Sequence, residues 1–483
     1  MSSKTSTAPQ LKSVALTVYP AGFALVQGEY ALSLKQGTNH IQLEGMPAQL
    51  VQSSLYPDTF AGPGDVTLGP ITFRTPNLNP QTLLTRALNQ NVTLHYGGNL
   101  PHEQQTINGK LLFLSSGTAL LLVDGDKVRE VQNVKGTTYE NVPDGVSNTP
   151  ALSLTVEASE EGEYTAVLLY TTRGVSWNPE YKFVLDEANS KLTLDGWVVL
   201  GNRSGATFNQ AKLSVAAGDA GGVEFGGGLE SADAPPRAAA MAASAPMGGS
   251  AKRANAAVQE LGQVKLYDVP GSVTIEEGDS QKVPFYNATE VPVELEYRFP
   301  AYAMWHRYRG EIEQQARRLV IIENTEENKL GHALPGAAVT LMQRDNSQRL
   351  RQTGTGRLED LPVGDEAHVD TGEDFDLHLT RKVLETTESN TEALPPANKD
   401  DKRPRRKVTY NRRCSVEIFN GKAKPVTVVV EEVTGPDVKL SNQTHGFKQV
   451  RDSQFEGTVT IAPHSSETVT YTISETTTEY VNQ

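Results

Sequence analysis

The sequence predicts an all-β protein made of several sandwich or barrel units, with only short helices. Apolar and polar residues alternate over runs of five to eight positions, which is typical of half-buried strands. Gly, Pro, Asn and Asp bound these runs, and Thr, Val and Tyr are frequent inside them, as pleated surfaces favour. No repeat with a period of roughly 20–50 residues is present, which disfavours a solenoid or a propeller.

Length and composition limit the possible classes of protein. The chain has 483 residues, 44 of them basic and 58 acidic, so its formal charge is −14. At roughly 150 residues per domain, this length allows about three domains that each bury a core. Cys414 is the single cysteine, which excludes an intramolecular disulfide and a cysteine-rich zinc site. The apolar runs are shorter than the ~18 residues of a spanning helix, and residues 1–10 lack a signal-peptide core. We expect no membrane span and a cytoplasmic location.

The amino-terminal part of the chain predicts two small units. Residues 1–60 form a β module, because alternating runs there are separated by turn signals such as Gln36-Gly37. Residues 81–139 predict a small β-barrel of five short strands, with Asp124-Gly125 as a hairpin turn. A short helix precedes them, since Asn79 followed by Pro80 is a cap-and-start signal.

Three larger units are predicted after residue 150. Residues 150–300 form a β-sandwich that a flexible loop, 218–262, interrupts, because Gly, Ala, Ser and Pro crowd there and little can be buried. Residues 301–385 predict a β domain, and residues 407–483 a C-terminal β-sandwich. The polar stretch 386–406 predicts a long surface loop between these two units.

One run of residues resembles a known family. The segment Tyr170-Thr171-Thr172-Arg173-Gly174-Val175-Ser176-Trp177-Asn178-Pro179-Glu180-Tyr181 is similar to the bacterial mucoidy-inhibitor-A-like proteins, which are defined by a domain of unknown function. The similarity continues in order through residues 202–208, 266–275 and 334–339. It implies an immunoglobulin-like, all-β architecture and no established catalytic residue. Several relatives carry a long coiled coil after the amino-terminal module, and residues 81–139 have no such heptads, so a function of that coiled coil should not transfer.

Signatures of catalysis are scarce in the sequence. It contains no nucleophile elbow, phosphate-binding loop or zinc-protease helix motif. Gly354-Thr355-Gly356 lacks the third glycine of a dinucleotide fingerprint and predicts a turn. Cys414 lies in an alternating strand and predicts a small buried residue rather than a nucleophile. We therefore expect a protein that is not an enzyme and has no cofactor.

The richest ligand-capable stretch runs from Asp365 to His378. In an extended strand Asp374, Asp376 and His378 share one face, and their oxygen and imidazole groups could converge on a metal ion. The alternative is a solvated strand face, since the spacing fits no dedicated calcium-binding loop.

Two further groups are candidate partner-binding residues. Arg403, Arg405 and Arg406 lie in the strongest basic cluster of this acidic chain and could meet an acidic protein partner. The alternatives are nucleic acid, which the net charge opposes, and a charged segment that discourages edge pairing. Trp305 and Tyr308 belong to an aromatic series with a three-residue spacing, which suits carbohydrate or peptide contacts if exposed and a lid over a sandwich end if buried.

These observations predict a non-enzymatic, β-rich structural or scaffold protein that mediates protein–protein interaction or self-assembly through strand edges. Its expected partners are proteins or copies of itself, not nucleic acid. The alternative is a metal-dependent hydrolase or a carbohydrate-binding protein that uses the face between Asp365 and His378.

Overall fold

The computed structural model describes residues 9–98, 104–141, 146–218, 255–301, 310–395, 403–433, 438–451 and 454–480. Strands account for 70% and helices for 3% of the structure, which confirms the all-β prediction. Across these ranges, no helix is both long and apolar enough to traverse a bilayer. Of the predicted loop 218–262, residues 219–254 lie outside the described ranges and residues 257–261 form a strand.

The described ranges contain thirty strands and one α-helix. The first part of the chain contains β1 (Gln10–Tyr19), β2 (Phe23–Leu34), β3 (Gly37–Glu44), β4 (Tyr56–Ala61), β5 (Val66–Arg74), α1 (Pro80–Ala87), β6 (Asn91–Gly97), β7 (Gln104–Ser115), β8 (Thr118–Val123), β9 (Lys127–Val131) and β10 (Val134–Tyr139). The middle part contains β11 (Ala151–Ala158), β12 (Gly162–Arg173), β13 (Val175–Leu185), β14 (Lys191–Asn202), β15 (Phe208–Ala217), β16 (Ala257–Leu261), β17 (Val264–Asp268), β18 (Val273–Ile275), β19 (Ser280–Pro292) and β20 (Glu294–Phe299). The last part contains β21 (Glu311–Glu323), β22 (Ala337–Arg344), β23 (Leu350–Leu358), β24 (Glu366–Leu394), β25 (Arg405–Asn420), β26 (Val426–Val433), β27 (Lys439–Ser441), β28 (Lys448–Arg451), β29 (Gln454–Ile461) and β30 (Ser465–Tyr480).

These elements form two compact units. The first comprises the described parts of Met1–Trp177, Leu200–Ala243 and Gln259–Gln281. The second comprises those of Asn178–Val199, Ser244–Val258 and Lys282–Gln483. The finer domain boundaries given above stay predictions.

The first unit is built around an eight-stranded sheet. Its order is β16-β17-β15-β1-β2-β12-β4, with β18 paired to β15. The predicted alternation in β1 is confirmed, because Val14, Leu16 and Val18 are buried while their neighbours are not. A three-stranded sheet, β3-β11-β5, lies in the same unit.

Helix α1 and the next five strands form a small module of the first unit. The predicted helix start is confirmed, since the Asn79 side chain accepts a 2.9 Å hydrogen bond from the Thr82 N–H and Pro80 is the first helical residue. The sheet order is β10-β6-β7-β8-β9, so β9 and β10 are its edges. Ala87 of the helix packs with Leu94 and Leu111 in the core of this module.

The second unit contains a five-stranded and a nine-stranded sheet. Their orders are β19-β14-β13-β22-β23 and β27-β30-β25-β24-β21-β20-β26-β29-β28. The nine-stranded sheet bends over on itself, because Val416 of β25 and Tyr471 of β30 share one apolar core with Val428 of β26 and Val459 of β29.

Glycines in β23 let the two sheets of the second unit approach closely. Gly354 and Gly356 lie inside this strand, so the predicted turn is wrong. A Cβ at Gly354 would lie 2.4 Å from the Thr371 carbonyl oxygen, and one at Gly356 would lie 2.3 Å from that of Asp370. Backbone therefore packs directly on backbone at this contact, which only glycine permits.

Buried asparagines fix the loops at the strand ends. The side-chain amide of Asn324 donates to the carbonyls of His332, Leu361 and Pro362 at 2.8, 3.1 and 3.0 Å. Asn420 does the same at the end of β25, where the acceptors are the carbonyls of Lys424, Ile461 and Ala462. Both side chains are fully buried, and these bonds satisfy backbone groups that leave the ladders.

Candidate functional site

A bulge interrupts β24 where the metal site was predicted. In the ladder with β21, Ala316 pairs with Asp374 but the preceding Gln315 pairs with His378, so residues 375–377 have no counterpart. The strict alternation that would place all three predicted ligands on one face is therefore broken. Within this bulge the Phe375 side chain is exposed, whereas Leu377 is buried and pairs with Asn420 of β25.

A lysine lies where a cation was expected. The Lys422 ammonium is 2.8 Å from Asp374 Oδ2 and 3.7 Å from Asp376 Oδ2. The His378 ring instead contacts the Phe375 ring edge-on, with centroids 6.4 Å apart. Within the described ranges no group of three or more His, Cys, Asp or Glu residues could hold a metal ion. A metal at Asp374, Asp376 and His378 stays a prediction, and the geometry offers those carboxylates a lysine partner.

The predicted basic cluster lies in and beside β25, and its charges meet acceptors within the chain. Arg406 contacts Glu388 of β24 at 2.9 Å and Glu479 of β30 at 2.6 Å. Arg405 donates to the Pro395 carbonyl at 3.0 and 2.7 Å. The Arg403 guanidinium lies 4.1 Å from the centroid of a tyrosine ring at the end of β30. Of these three arginines, Arg406 is paired with carboxylates, and the role of the cluster in partner binding stays a prediction.

The two aromatic candidates, Trp305 and Tyr308, fall in residues 302–309, which lie outside the described ranges. The chain enters that segment after Phe299, which is buried in the core of the nine-stranded sheet.

A buried charged network, which the sequence analysis missed, crosses the core of this sheet. Arg381 of β24 and Glu432 of β26 are 0% and 1% exposed, and Arg381 Nη2 lies 2.7 Å from Glu432 Oε1. The Tyr471 hydroxyl donates to the same carboxylate oxygen. Arg381 also donates to the Gln314 side chain at 3.1 Å and to the Glu431 carbonyl at 3.2 Å. The network joins strands that are distant in the sheet order.

Burial and mutual attraction set the protonation of this network. Burial raises the pKa of Glu432, and the positive charge of Arg381 opposes that rise. Burial lowers the pKa of Arg381, but Glu432 and Tyr471 together outweigh this effect, so the net shift is upward. Burial, assisted by Glu432, raises the pKa of the Cys414 thiol to about 12. Cys414 is therefore a buried thiol rather than a nucleophile, as predicted.

The opposite face of the nine-stranded sheet carries a polar depression, which we call the outer groove. It has a volume of about 1050 Å³ and is lined by Arg298, Glu313, Arg317, Asp370, His378 and Glu431, among others. Arg317 binds Asp370 Oδ2 through Nε and Nη2 at 2.8 and 2.6 Å. Arg298 binds Glu431 and Glu456 through one nitrogen at 2.5 and 2.8 Å. Both arginines of the groove thus lie beside carboxylates, and the lining as a whole carries more carboxylates than arginines.

An aromatic strip borders the outer groove. Its members are Phe375, His378 and Phe419, and His378 and Phe419 are direct neighbours across the β24–β25 ladder. Phe375 is 81% exposed and Phe419 is 42% exposed. Large aromatic side chains that exposed are uncommon in isolated domains and mark interaction surfaces.

Strand β24 continues far beyond its pairing with β21. That ladder ends at the pair Glu311 and Lys382, whereas the ladder with β25 continues to Leu394 and Arg405. The predicted loop 386–406 is therefore wrong for residues 386–394, which are strand. In the described part of the chain, β24 from Val383 onward has a partner strand on one side only.

The family match covers the strands that carry these features. Residues 167–477 match the family described as a domain of unknown function, DUF4139. This range contains the outer groove, the buried network and the one-sided part of β24. No curated protein matches the chain. Since the match extends over well more than half of the 483 residues, the chain belongs to the DUF4139 family.

Proposed function

We propose that the protein is a non-enzymatic β scaffold that associates with copies of itself through the edge of β24 beyond Lys382. The observation that carries this proposal is that, among the described residues, this part of β24 pairs with β25 alone. Unpaired backbone N–H and C=O groups of a strand edge are a template for a further strand. Twelve residues of such an edge, at about 3.3 Å each, would extend about 40 Å.

The regular part of this edge is short and self-complementary. Register shifts lie between Val383 and Glu385 and between Ser389 and Glu392, so residues 385–389 form the uninterrupted stretch. Two copies paired antiparallel about Thr387 would place Glu385 opposite Ser389, and Thr386 opposite Glu388. No carboxylates would then face one another, and like charges directly opposite are what destabilises such a pair. The flanking bulges limit indiscriminate pairing.

The engagement of the acidic residues supports a non-enzymatic role. Asp370, Asp374 and Glu366 each contact a basic partner, namely Arg317, Lys422 and His368. The first pair joins β21 to β24, the second ties β24 to the turn after β25, and the third lies within β24. The narrower kinship with the mucoidy-inhibitor-A-like proteins, the immunoglobulin-like description and the cytoplasmic location stay predictions.

Two single substitutions, Thr386→Pro and Thr387→Pro, test the edge. The backbone N–H groups of successive strand residues point to opposite edges of the strand. One of the two prolines therefore removes an N–H that donates to β25, and the other removes an N–H from the outer edge of β24. Each variant is thus the control of the other. We expect light scattering to show concentration-dependent dimers of the wild type between about 1 and about 100 µM. The variant with wild-type thermal stability should remain monomeric.

Two results would refute the proposal. One is a wild type that stays monomeric over that concentration range. The other is a stable proline variant that dimerises as the wild type does.

A further inference from the structure

We infer that the outer groove with its aromatic strip binds a neutral oligosaccharide. This inference is independent of the self-association proposed for β24, because the groove lies on β20, β21, β24 and β26 before the edge beyond Lys382 begins. Its volume of about 1050 Å³ suits several sugar rings, since ligand sites of this kind occupy about 300–1000 Å³.

The polar lining matches paired hydroxyl groups. Arg317 and Asp370 hold each other through two hydrogen bonds, yet their side chains are 43% and 39% exposed. A vicinal diol donates and accepts at once, so it can accept from the guanidinium and donate to the carboxylate of such a pair. Because each side chain fixes the other, little conformational entropy is lost on binding. Arg298 and Glu431 form a second pair in the lining of the groove, through one nitrogen and with less exposed side chains, 23% and 15%.

The charges of the groove disfavour an anionic ligand, because its lining carries Arg298 and Arg317 against four carboxylates, those of Glu313, Asp370, Glu373 and Glu431. Both arginines of the groove are compensated by carboxylates on neighbouring strands, Arg298 by Glu431 and Glu456 and Arg317 by Asp370. An anionic ligand would have to displace these carboxylates. A ligand without charge leaves every pair intact and can still form charge-assisted hydrogen bonds.

The aromatic strip supplies the apolar half of sugar recognition. Sugar rings have a face of C–H groups that packs on an aromatic ring, and the negative face of the ring favours that contact. Phe375 is 81% exposed and its ring lies 6.4 Å from that of His378, which itself lines the groove. Ring contact and diol binding can therefore act on one extended ligand.

The backbone beneath the groove disfavours an extended peptide. In the order β25-β24-β21-β20-β26-β29, each of the four strands that line the groove has a partner on both sides. A peptide could not add to the sheet there and would lose the main-chain hydrogen bonds on which strand addition depends.

The test uses the full-length protein and three neutral hexasaccharides as probes: cellohexaose, maltohexaose and laminarihexaose. Saturation-transfer NMR and calorimetry should detect at least one of them. The Phe375→Ala and Arg317→Gln variants should each bind that probe at least about tenfold more weakly. Matched controls are Phe113→Ala, an exposed phenylalanine of the first unit, and Glu327→Gln, an exposed glutamate of the second. Both controls should bind as the wild type.

Phe375→Ala is informative even if Arg317→Gln disturbs the fold, because a largely exposed ring contributes little to stability. Absence of binding for all three sugars would overturn the inference. Wild-type affinity of Phe375→Ala would overturn it too. A third outcome would assign the groove to a basic peptide instead. In that case none of the sugars binds, hexalysine binds in a salt-sensitive way, and Glu313→Gln abolishes the binding of hexalysine. Unchanged dimerisation of Phe375→Ala keeps this result separate from the proposed scaffold role.

Discussion

Removing the buried carboxylate of Glu432 should destabilise the second unit strongly. The Glu432→Gln variant leaves the Arg381 guanidinium, which is 0% exposed, without a counter-charge. An arginine cannot lose its proton in a protein, so the charge stays buried. Breaking such a pair by removing one partner costs about 3–5 kcal/mol. The 2.7 Å contact and the extra bond from Tyr471 favour the upper half of that range.

The reverse change should depend on pH. In Arg381→Met, Glu432 loses the cation that bonds to it and keeps only the weaker effect of Arg412, so burial raises the pKa of Glu432 further above the ordinary value of 4.5. A raised pKa in the folded state means that stability is fully present below the unfolded-state pKa and is lost as pH rises through the folded-state pKa. We expect this variant to approach wild-type stability near pH 4.5 and to lose up to about 1.4 kcal/mol per pH unit above it.

Urea denaturation with hydrogen-exchange mass spectrometry of β24 and β26 peptides measures both effects in the second unit. The double variant Arg381→Met with Glu432→Leu is the matched control, since two apolar side chains should restore stability to within about 1 kcal/mol. A cost below about 1 kcal/mol for Glu432→Gln would refute the reasoning. So would a pH-independent cost for Arg381→Met.

Three further predictions concern buried groups. Cys414 should resist iodoacetamide at pH 8 in the folded protein and react in urea, because a pKa of about 12 leaves a thiolate fraction of about 10⁻⁴. Mass spectrometry measures the labelling, and rapid labelling of the folded protein would contradict the burial of this thiol. Gly354→Ala should lower the free energy of unfolding, measured in urea, by about 1–3 kcal/mol, since its Cβ would lie 2.4 Å from the Thr371 carbonyl oxygen. In the control Gly446→Ala the Cβ meets nothing within 4 Å, so this variant should be near neutral. Asn324→Asp should lower the thermal midpoint markedly at pH 7, because a carboxylate would face the carbonyl oxygens that the amide now satisfies; an unchanged midpoint would contradict that bonding.

The regular parts of the fold could be predicted because burial imposes a pattern on the sequence. In β1 the alternation of apolar residues follows the burial of one face, and in α1 the residues Asn79 and Pro80 have a local role that needs no tertiary information. Such signals are complete within about ten residues.

The extended part of β24 could not be predicted by the same means. Residues 386–392 are all polar, so no hydrophobic alternation marks them as strand. Their pairing with β25 relies on cross-strand contacts such as Glu388 with Arg406, which become visible only once the strands are aligned. The bulge at Phe375 was hidden for a related reason, because an insertion relative to β21 leaves no local signal.

The buried network did leave a signal that the sequence analysis did not use. Leu377, Leu379 and Arg381 occupy successive inward positions of β24, and Val428, Val430 and Glu432 do so in β26. A charged residue that continues an apolar alternation predicts a buried ion, and two of opposite sign predict each other. The outer groove has no comparable signature, since it arises from four strands and a bulge.

The asparagine at the end of β25 also links unfolding to an irreversible covalent change. Asn420 precedes Gly421, and in a flexible chain an Asn-Gly pair cyclises to a succinimide when the following amide nitrogen attacks the side chain. In the native protein the Gly421 nitrogen donates to the Asp376 carbonyl at 2.7 Å, and the Asn420 amide donates to three carbonyls. These hydrogen bonds hinder the cyclisation. Each unfolding event exposes the Asn-Gly pair to this reaction. A chain that refolds with aspartate at position 420 places a carboxylate against carbonyl oxygens that require a hydrogen-bond donor. Deamidation of Asn420 therefore accumulates irreversibly with the time that the chain spends unfolded.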